Sequence, residues 1–122
     1  MNKKTVDSLI PRAVDVLKEV NIADKNGNIN KTFRGQISTF GAAIINGSLI
    51  SAVAFFSDDG KGTVERSNLL KAVKLLIVDA ESYSDLFDYV RAQGKNHEKA
   101  VKQRILNASV ALKLAMNLYN LE

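Results

Sequence analysis

The sequence predicts an all-α protein, a single domain over residues 1–122 with about five to six helices. Apolar residues recur at intervals of three and four along most of the chain, which is the spacing of one helix face. One proline and seven glycines are few for a turn-rich β protein. No stretch alternates apolar and polar residues as a half-buried strand does. A chain of 122 residues suits one domain with its own core.

The first helix is predicted over residues 6–20. Its apolar face consists of Ile10, Ala13, Val14, Leu17 and Val20. Because a proline inside a helix removes a hydrogen bond, we expect Ser8 to cap the helix and Pro11 to lie in its first turn. Residues 24–28 are rich in Asn and Asp and contain a glycine, which predicts a loop.

Two helices joined at a glycine are predicted next. The second helix runs from about Asn30 to Asn46. Its buried stripe consists of Phe33, Ile37, Phe40 and Ile44. We expect Gly47 to end this helix in the left-handed conformation. The short third helix, residues 48–56, is nearly all apolar and is therefore expected to be buried on most sides.

Three more helices are predicted in the second half of the chain. After a loop at 58–62, the fourth helix covers about 64–79, with Leu69, Val73 and Leu76 inward. The fifth helix runs from residue 82 or 84 to 93 and carries Leu86, Tyr89 and Val90. The last begins near residue 96 and continues almost to the end of the chain. Its inward stripe consists of Val101, Ile105, Ala108, Leu112, Ala115 and Tyr119.

The residue types exclude several kinds of chemistry. Without cysteine there is no disulfide, thiolate nucleophile or Cys-based zinc site. His97 is the one histidine, so a zinc ligand set cannot form, and we expect a solvated surface residue. Residues 24–35 imitate a calcium loop, but Ile29 and Gly35 stand where glycine and glutamate are needed, so a turn is predicted. Asp79, Glu81, Asp85 and Asp88 form an acidic cluster that suits a helix N-terminus or solvent better than magnesium. We therefore predict no catalytic residue, metal ligand or cofactor, and no enzyme.

The charge balance permits an anionic partner. Seventeen basic and thirteen acidic residues give a net charge of +4. No apolar run approaches the ~20 residues of a membrane-spanning helix. Pro11, Arg12 and Asp15 interrupt any signal-peptide core. We expect no membrane association and a cytoplasmic location.

Basic side chains are predicted on the outward arcs of three helices. On the last helix, Lys99, Lys102 and Lys113 lie about 100–160° from the core stripe. The candidate nucleic-acid-binding residues are Lys31, Arg34, Lys71, Lys74, Lys99, Lys102 and Lys113. Two interpretations stay open at this point: ordinary solvated lysines, or contacts to phosphates that do not depend on base sequence.

The last helix also carries a second apolar stripe. It consists of Val110, Leu114, Leu118 and Leu121. A helix that is apolar on two sides either lies in the centre of the core or contributes to a protein interface.

The segment from 32 to 56 contains an aromatic-arginine pair at Phe33 and Arg34, an inward helix that ends in Asn46-Gly47, and a short helix with Val53-Ala54-Phe55 near its end. In these features it resembles the small subunit of the Cmr-type (type III-B) CRISPR effector complex, in which leucine is usual at the position of Val53. Ser48 separates Gly47 from the leucine that follows. The long basic final helix also agrees with this family.

This resemblance implies an all-α, non-catalytic subunit that stacks along the effector filament. Its partners would be guide RNA and target RNA, neighbouring copies of itself and other subunits of the complex. The basic faces would then contact the RNA backbone, and the second apolar stripe would be a stacking surface. The alternative is a helical protein-protein interaction module without nucleic-acid contact.

Overall fold

The computed structural model describes residues 2–60 and 65–122, and in these ranges five α-helices form one bundle. The longest helix, α5, packs against each of the other four. The elements in chain order are α1 (Lys3–Glu19), β1 (Asn28–Ile29), α2 (Lys31–Asn46), α3 (Leu49–Phe56), α4 (Ser67–Leu75), a 3-10 helix (Val78–Ala80), α5 (Leu86–Met116) and β2 (Asn120–Leu121). The predicted all-α class is confirmed.

Helix α1 begins earlier than the sequence predicts. The side chain of Asn2 accepts a hydrogen bond from the backbone N–H of Thr5 and caps the helix. The prediction that Ser8 is the cap is wrong, since its hydroxyl donates to the Thr5 carbonyl inside the helix. Pro11 consequently lies in the middle of α1, on its exposed side. Burial of the opposite face against α5 outweighs the one missing hydrogen bond.

Most of the predicted inward stripes lie in the core, although Ile10 and Val14 of α1 and Tyr119 after α5 are only half-buried. Every predicted inward residue of α2 and α4 is buried, and so are those of α5 from Val101 to Ala115. The largest fully buried side chains are Tyr89, Phe40, Leu17, Ile29, Ile37, Ile44, Leu69, Leu86, Ile105, Leu112, Met116 and Val16. Phe40 and Phe56 pack edge to face, with ring centroids 5.2 Å apart, and join α2 to α3.

The turn between α2 and α3 has a different physical basis from the predicted one. Gly47 has a φ of −124°, so the left-handed conformation predicted for it is wrong. Its N–H donates to the Ala43 carbonyl, and a Cβ at this position would lie 2.9 Å from that same oxygen. The backbone approaches too closely here for any side chain.

Helix α3 is buried on one face only, which corrects the expectation of burial on most sides. Leu49, Val53 and Phe56 face the core, whereas Phe55 is 61% exposed. The guanidinium of Arg66 lies 4.3 Å from the centre of the Phe55 ring, so a cation covers part of this apolar surface.

The boundaries of the last three predicted helices also change. Helix α4 ends at Leu75 rather than 79, and a 3-10 helix follows it. The predicted loop at 58–62 and the predicted helix start at 64 lie partly outside the described residues. The fifth and sixth predicted helices form the single helix α5, which has a non-helical break at His97, close to the predicted junction.

The last helix stops at Met116, and the chain end returns to α1 and β1. The Tyr119 hydroxyl donates to the Val14 carbonyl at 2.6 Å. Asn120 and Leu121 pair in parallel with Asn28 and Ile29. This two-residue pairing contradicts the expectation that the chain contains no strand, because so short a segment shows no alternation in the sequence.

The predicted turn before β1 is confirmed. The Asp24 carboxylate accepts hydrogen bonds from the backbone N–H groups of Asn26 and Asn28. Gly27 follows with a φ of +81°, which glycine adopts without strain. The hydrogen bond from Asn28 is the main cause that lowers the pKa of Asp24.

Candidate nucleic-acid interface

Three predicted lysines form one row on the outer face of α5. An α-helix rotates by about 100° per residue, so Lys99, Lys102 and Lys113 lie within an arc of about 80°. Leu106 and Val110 lie within the same arc. Lys99 is exposed, while the other two lysines and both aliphatic residues are half-buried. The row spans about 21 Å along the helix axis. The α5 row thus has two aliphatic side chains, Leu106 and Val110, between Lys102 and Lys113.

Helix α2 continues this row at the carboxyl end of α5. The Nε of Arg34 donates to Oδ1 of Asn117 at 3.1 Å, and Asn117 lies one turn beyond Lys113. Lys31 is exposed one turn before Arg34, on the same side of α2. We call the set Lys31, Arg34, Lys99, Lys102 and Lys113 the basic surface. Five of the seven candidate residues therefore belong to one surface.

The other two candidates lie in a different place. Lys71 and Lys74 of α4 line a groove of about 490 Å³ together with Leu70, Asp85 and Phe87. Within residues 2–60 and 65–122, no hydrogen bond or shared cavity joins these lysines to the basic surface. Asp85 also lowers the positive potential of the groove.

The predicted second apolar stripe is not a single helix face. Val110 packs against the core, and Leu114 is 41% exposed on α5. Leu118 and Leu121 lie beyond the end of the helix, and Leu118 is 70% exposed. The prediction assumed a helix that continues to the end of the chain. Val110 instead belongs to the α5 row, and Leu114 lies about 40° beyond the edge of that row.

The acidic residues at the start of α5 cap the helix. The Asp85 carboxylate accepts from the Asp88 N–H at 2.8 Å. Asp88 in turn accepts from the Ser84 hydroxyl and forms an ion pair with Arg91. In the ranges that the structure describes, no three His, Cys, Asp or Glu residues are grouped to hold a metal ion.

Two residues beside the basic surface, Leu106 and Asn117, were not predicted from the sequence. Leu106 was not singled out, although its spacing of four residues from Lys102 and from Val110 was a usable signal. Asn117, which fixes Arg34, gives no such signal, since the two residues are 83 positions apart.

No protein family, curated protein or solved structure matches the chain. Among the described residues, no helix has the length and apolar character needed to cross a membrane.

Proposed function

We propose that this chain is a non-catalytic subunit of an RNA-guided ribonucleoprotein of the type III-B CRISPR class, and that its basic surface binds the backbone of paired guide and target RNA. The observation that carries the proposal is the α5 row, continued onto α2 by the hydrogen bond between Arg34 and Asn117. An RNA backbone is a line of negative charges, and a straight row of cations complements it.

The side chains of the basic surface suit phosphates better than bases. Lysine ammonium groups act as point charges without a fixed hydrogen-bonding plane, so they do not distinguish one base edge from another. The half-buried Lys102 and Lys113 have aliphatic neighbours on the same arc. Their stems can pack along this apolar surface while the ammonium groups extend into solvent.

The resemblance of residues 32–56 to the Cmr-type small subunit supports the choice of assembly. In such an assembly, neighbouring copies and other subunits would cover the exposed Leu114 and Leu118. A cytoplasmic location follows from this role, and a chain without cysteine is compatible with a reducing compartment.

Exposed apolar side chains favour a second candidate, a helical protein-protein interaction module. Val78 is 82% exposed and Leu118 is 70% exposed, so part of the surface is suited to protein contact. In this alternative, the basic charge serves solubility only.

Fluorescence anisotropy with two RNA oligomers of equal length and unrelated sequence separates the two candidates. The RNA-binding proposal expects weak binding of similar affinity to both oligomers, lost steeply as salt rises. The absence of binding at low salt would contradict direct RNA contact and favour the interaction module. A strong preference for one oligomer would contradict recognition through phosphates.

A further inference from the structure

A polar cavity of about 470 Å³ lies at the break in α5, apart from the basic surface. It is lined by Asp79, Ser82, Tyr83, Tyr89, Gln93, His97, Ala100 and Arg104. Arg104 points about 160° around α5 from the middle of the α5 row. This volume matches a ligand of small-molecule size. Ligand pockets are usually mainly apolar, and this one is instead lined by hydrogen-bonding groups.

Two fixed partners hold the Arg104 guanidinium at this cavity. Its Nε lies 3.2 Å from Oδ2 of Asp79, and its Nη1 donates to the Tyr89 hydroxyl at 3.2 Å. Arginine offers five N–H donors, so the ion pair at Nε and the hydrogen bond from Nη1 leave the Nη2 group and one Nη1 hydrogen for a ligand. The bond to Tyr89 also raises the pKa of Arg104. The cavity therefore presents an oriented, permanently charged fork.

Tyr89 supports the Arg104 guanidinium from the core side. Its side chain is fully buried, and its ring packs edge to face with Tyr83 at a centroid distance of 5.5 Å. The Tyr89 hydroxyl therefore orients the guanidinium by accepting from Nη1. Tyr83 is held in turn by Gln93, whose Nε2 donates to the Tyr83 hydroxyl at 2.6 Å.

His97 places a second donor at the cavity, at the break in α5. The backbone there has φ −135° and ψ 36°, which departs from helical geometry within α5. The His97 side chain is exposed and lines the cavity together with Ala100 and Arg104, which follow at helical spacing on one side. A neutral imidazole donates one N–H.

We propose that this cavity binds a phosphoryl group through the guanidinium of Arg104 and the imidazole of His97, with the buried Tyr89 hydroxyl holding the guanidinium in place. A phosphoryl group carries several acceptor oxygens, and arginine binds it with two parallel hydrogen bonds. Asp79 occupies the Nε edge and orients the guanidinium, while the Nη2 edge faces the ligand. The ligand is a free phosphate compound or the terminal phosphate of an RNA. The site does not depend on the proposed role of the basic surface.

The test is a titration of the whole chain, labelled with nitrogen-15, with inorganic phosphate, followed by NMR. We expect saturable shifts in the amide signals of residues 93–104. Arg104→Gln should weaken binding by about tenfold or more, since it removes a charged hydrogen-bond donor. Arg91→Gln is the matched control, because Arg91 also lies on α5 and pairs with an aspartate but does not line the cavity. It should leave phosphate binding unchanged.

Tyr89→Phe provides a second variant that keeps the ring in the core. We expect a loss of binding of several-fold, because the hydroxyl that accepts from Arg104 and orients its guanidinium is removed. Shifts that do not saturate would overturn the proposal. Equal losses in Arg104→Gln and Arg91→Gln would also overturn it, since they would indicate attraction to general positive charge.

Two further ligands identify the source of the phosphoryl group. A nucleoside 5′-monophosphate and a pair of RNA oligomers, with and without a 5′-phosphate, are titrated against the wild type and Arg104→Gln. A loss limited to the phosphorylated oligomer assigns the cavity to an RNA end, and a loss limited to the mononucleotide assigns it to a free compound. The combined variant Lys99→Gln, Lys102→Gln and Lys113→Gln should leave the binding of inorganic phosphate intact. Failure of the RNA-backbone proposal can therefore be distinguished from failure of the phosphoryl-site proposal.

Discussion

Replacement of Lys99, Lys102 and Lys113 by glutamine should flatten the salt dependence of RNA binding. Each lysine that contacts a phosphate releases counterions, and a contact contributes about 0.7–0.9 to the slope of log affinity against log salt concentration, from single strands to duplexes. Three contacts therefore predict a slope that is smaller by about 2–3. Glutamine is a good helix former, so the α5 helix itself should be preserved.

The assay is fluorescence anisotropy of a labelled RNA oligomer at several salt concentrations. The matched control replaces the same three lysines by arginine, which keeps every charge in the α5 row and should keep the slope. Circular dichroism verifies that both variants are folded. We also expect Lys71→Gln with Lys74→Gln to change the slope less, because these two residues lie in a separate groove that contains Asp85.

One result would refute this reasoning. If the folded glutamine variant has the affinity and the salt slope of the wild type, the lysines of the α5 row are solvated and do not contact RNA. The interaction module would then be the better account of the chain.

Two further predictions concern stability. Gly47→Ala should lower the free energy of unfolding by about 1 kcal/mol. Contact of the new Cβ with the Ala43 carbonyl destabilises the folded state by about 1–3 kcal/mol. The reduced conformational freedom of the unfolded chain offsets about 0.4–1 kcal/mol of this loss. Gly41→Ala is the control, because a Cβ at this position in the middle of α2 would meet nothing within 4 Å. It should stabilise the folded protein by about 0.5–1 kcal/mol, measured by urea unfolding. Equal effects of the two substitutions would contradict the steric argument. Backbone N–H groups lower the pKa of Asp24 in the folded state. The ionised carboxylate therefore stabilises the fold at pH values above its ordinary pKa of 3.8, and this stabilisation is lost as the pH falls. The difference in thermal stability between wild type and Asp24→Asn should therefore shrink below about pH 4, and a difference independent of pH would contradict this cause.

The sequence predicts the inward faces of the helices because apolar periodicity is a local property. Phe33 to Ile44 and Val101 to Ala115 follow the helical repeat, and all of these stripe positions are buried. The errors at the start of α1 and at the end of α5 occur where two distant segments meet. The start of α1 is fixed partly by the Asn2 N–H, which donates to Oδ1 of Asn107. The end of α5 is fixed by pairing of Asn120 with Asn28.

The candidate site shows the same difference between residues within one helix and contacts between distant segments. The α5 row was predictable, since all three lysines belong to one uninterrupted helical segment after His97. Its continuation onto α2 was not predictable, because the bond between Arg34 and Asn117 depends on how two helices pack. The phosphoryl cavity was missed for a similar reason: Asp79 and Arg104 are far apart in the sequence and meet only because the 3-10 helix packs beside α5.

Helix α5 serves two different surfaces through two of its outer arcs. It packs against α1, α2, α3 and α4, so its inner face belongs to the core and only its outer positions are available for binding. Residues on one outer arc form the α5 row, whereas Arg104 points to the other side toward Tyr89. The segment before His97 supplies Tyr89 and Gln93 to the same cavity. At about 100° per residue, Tyr89, Gln93 and Arg104 fall within an arc of about 60°, so the helical repeat is sufficient to bring them to one face. The polar cavity and the α5 row are therefore kept apart by the rotation between two arcs of one helix.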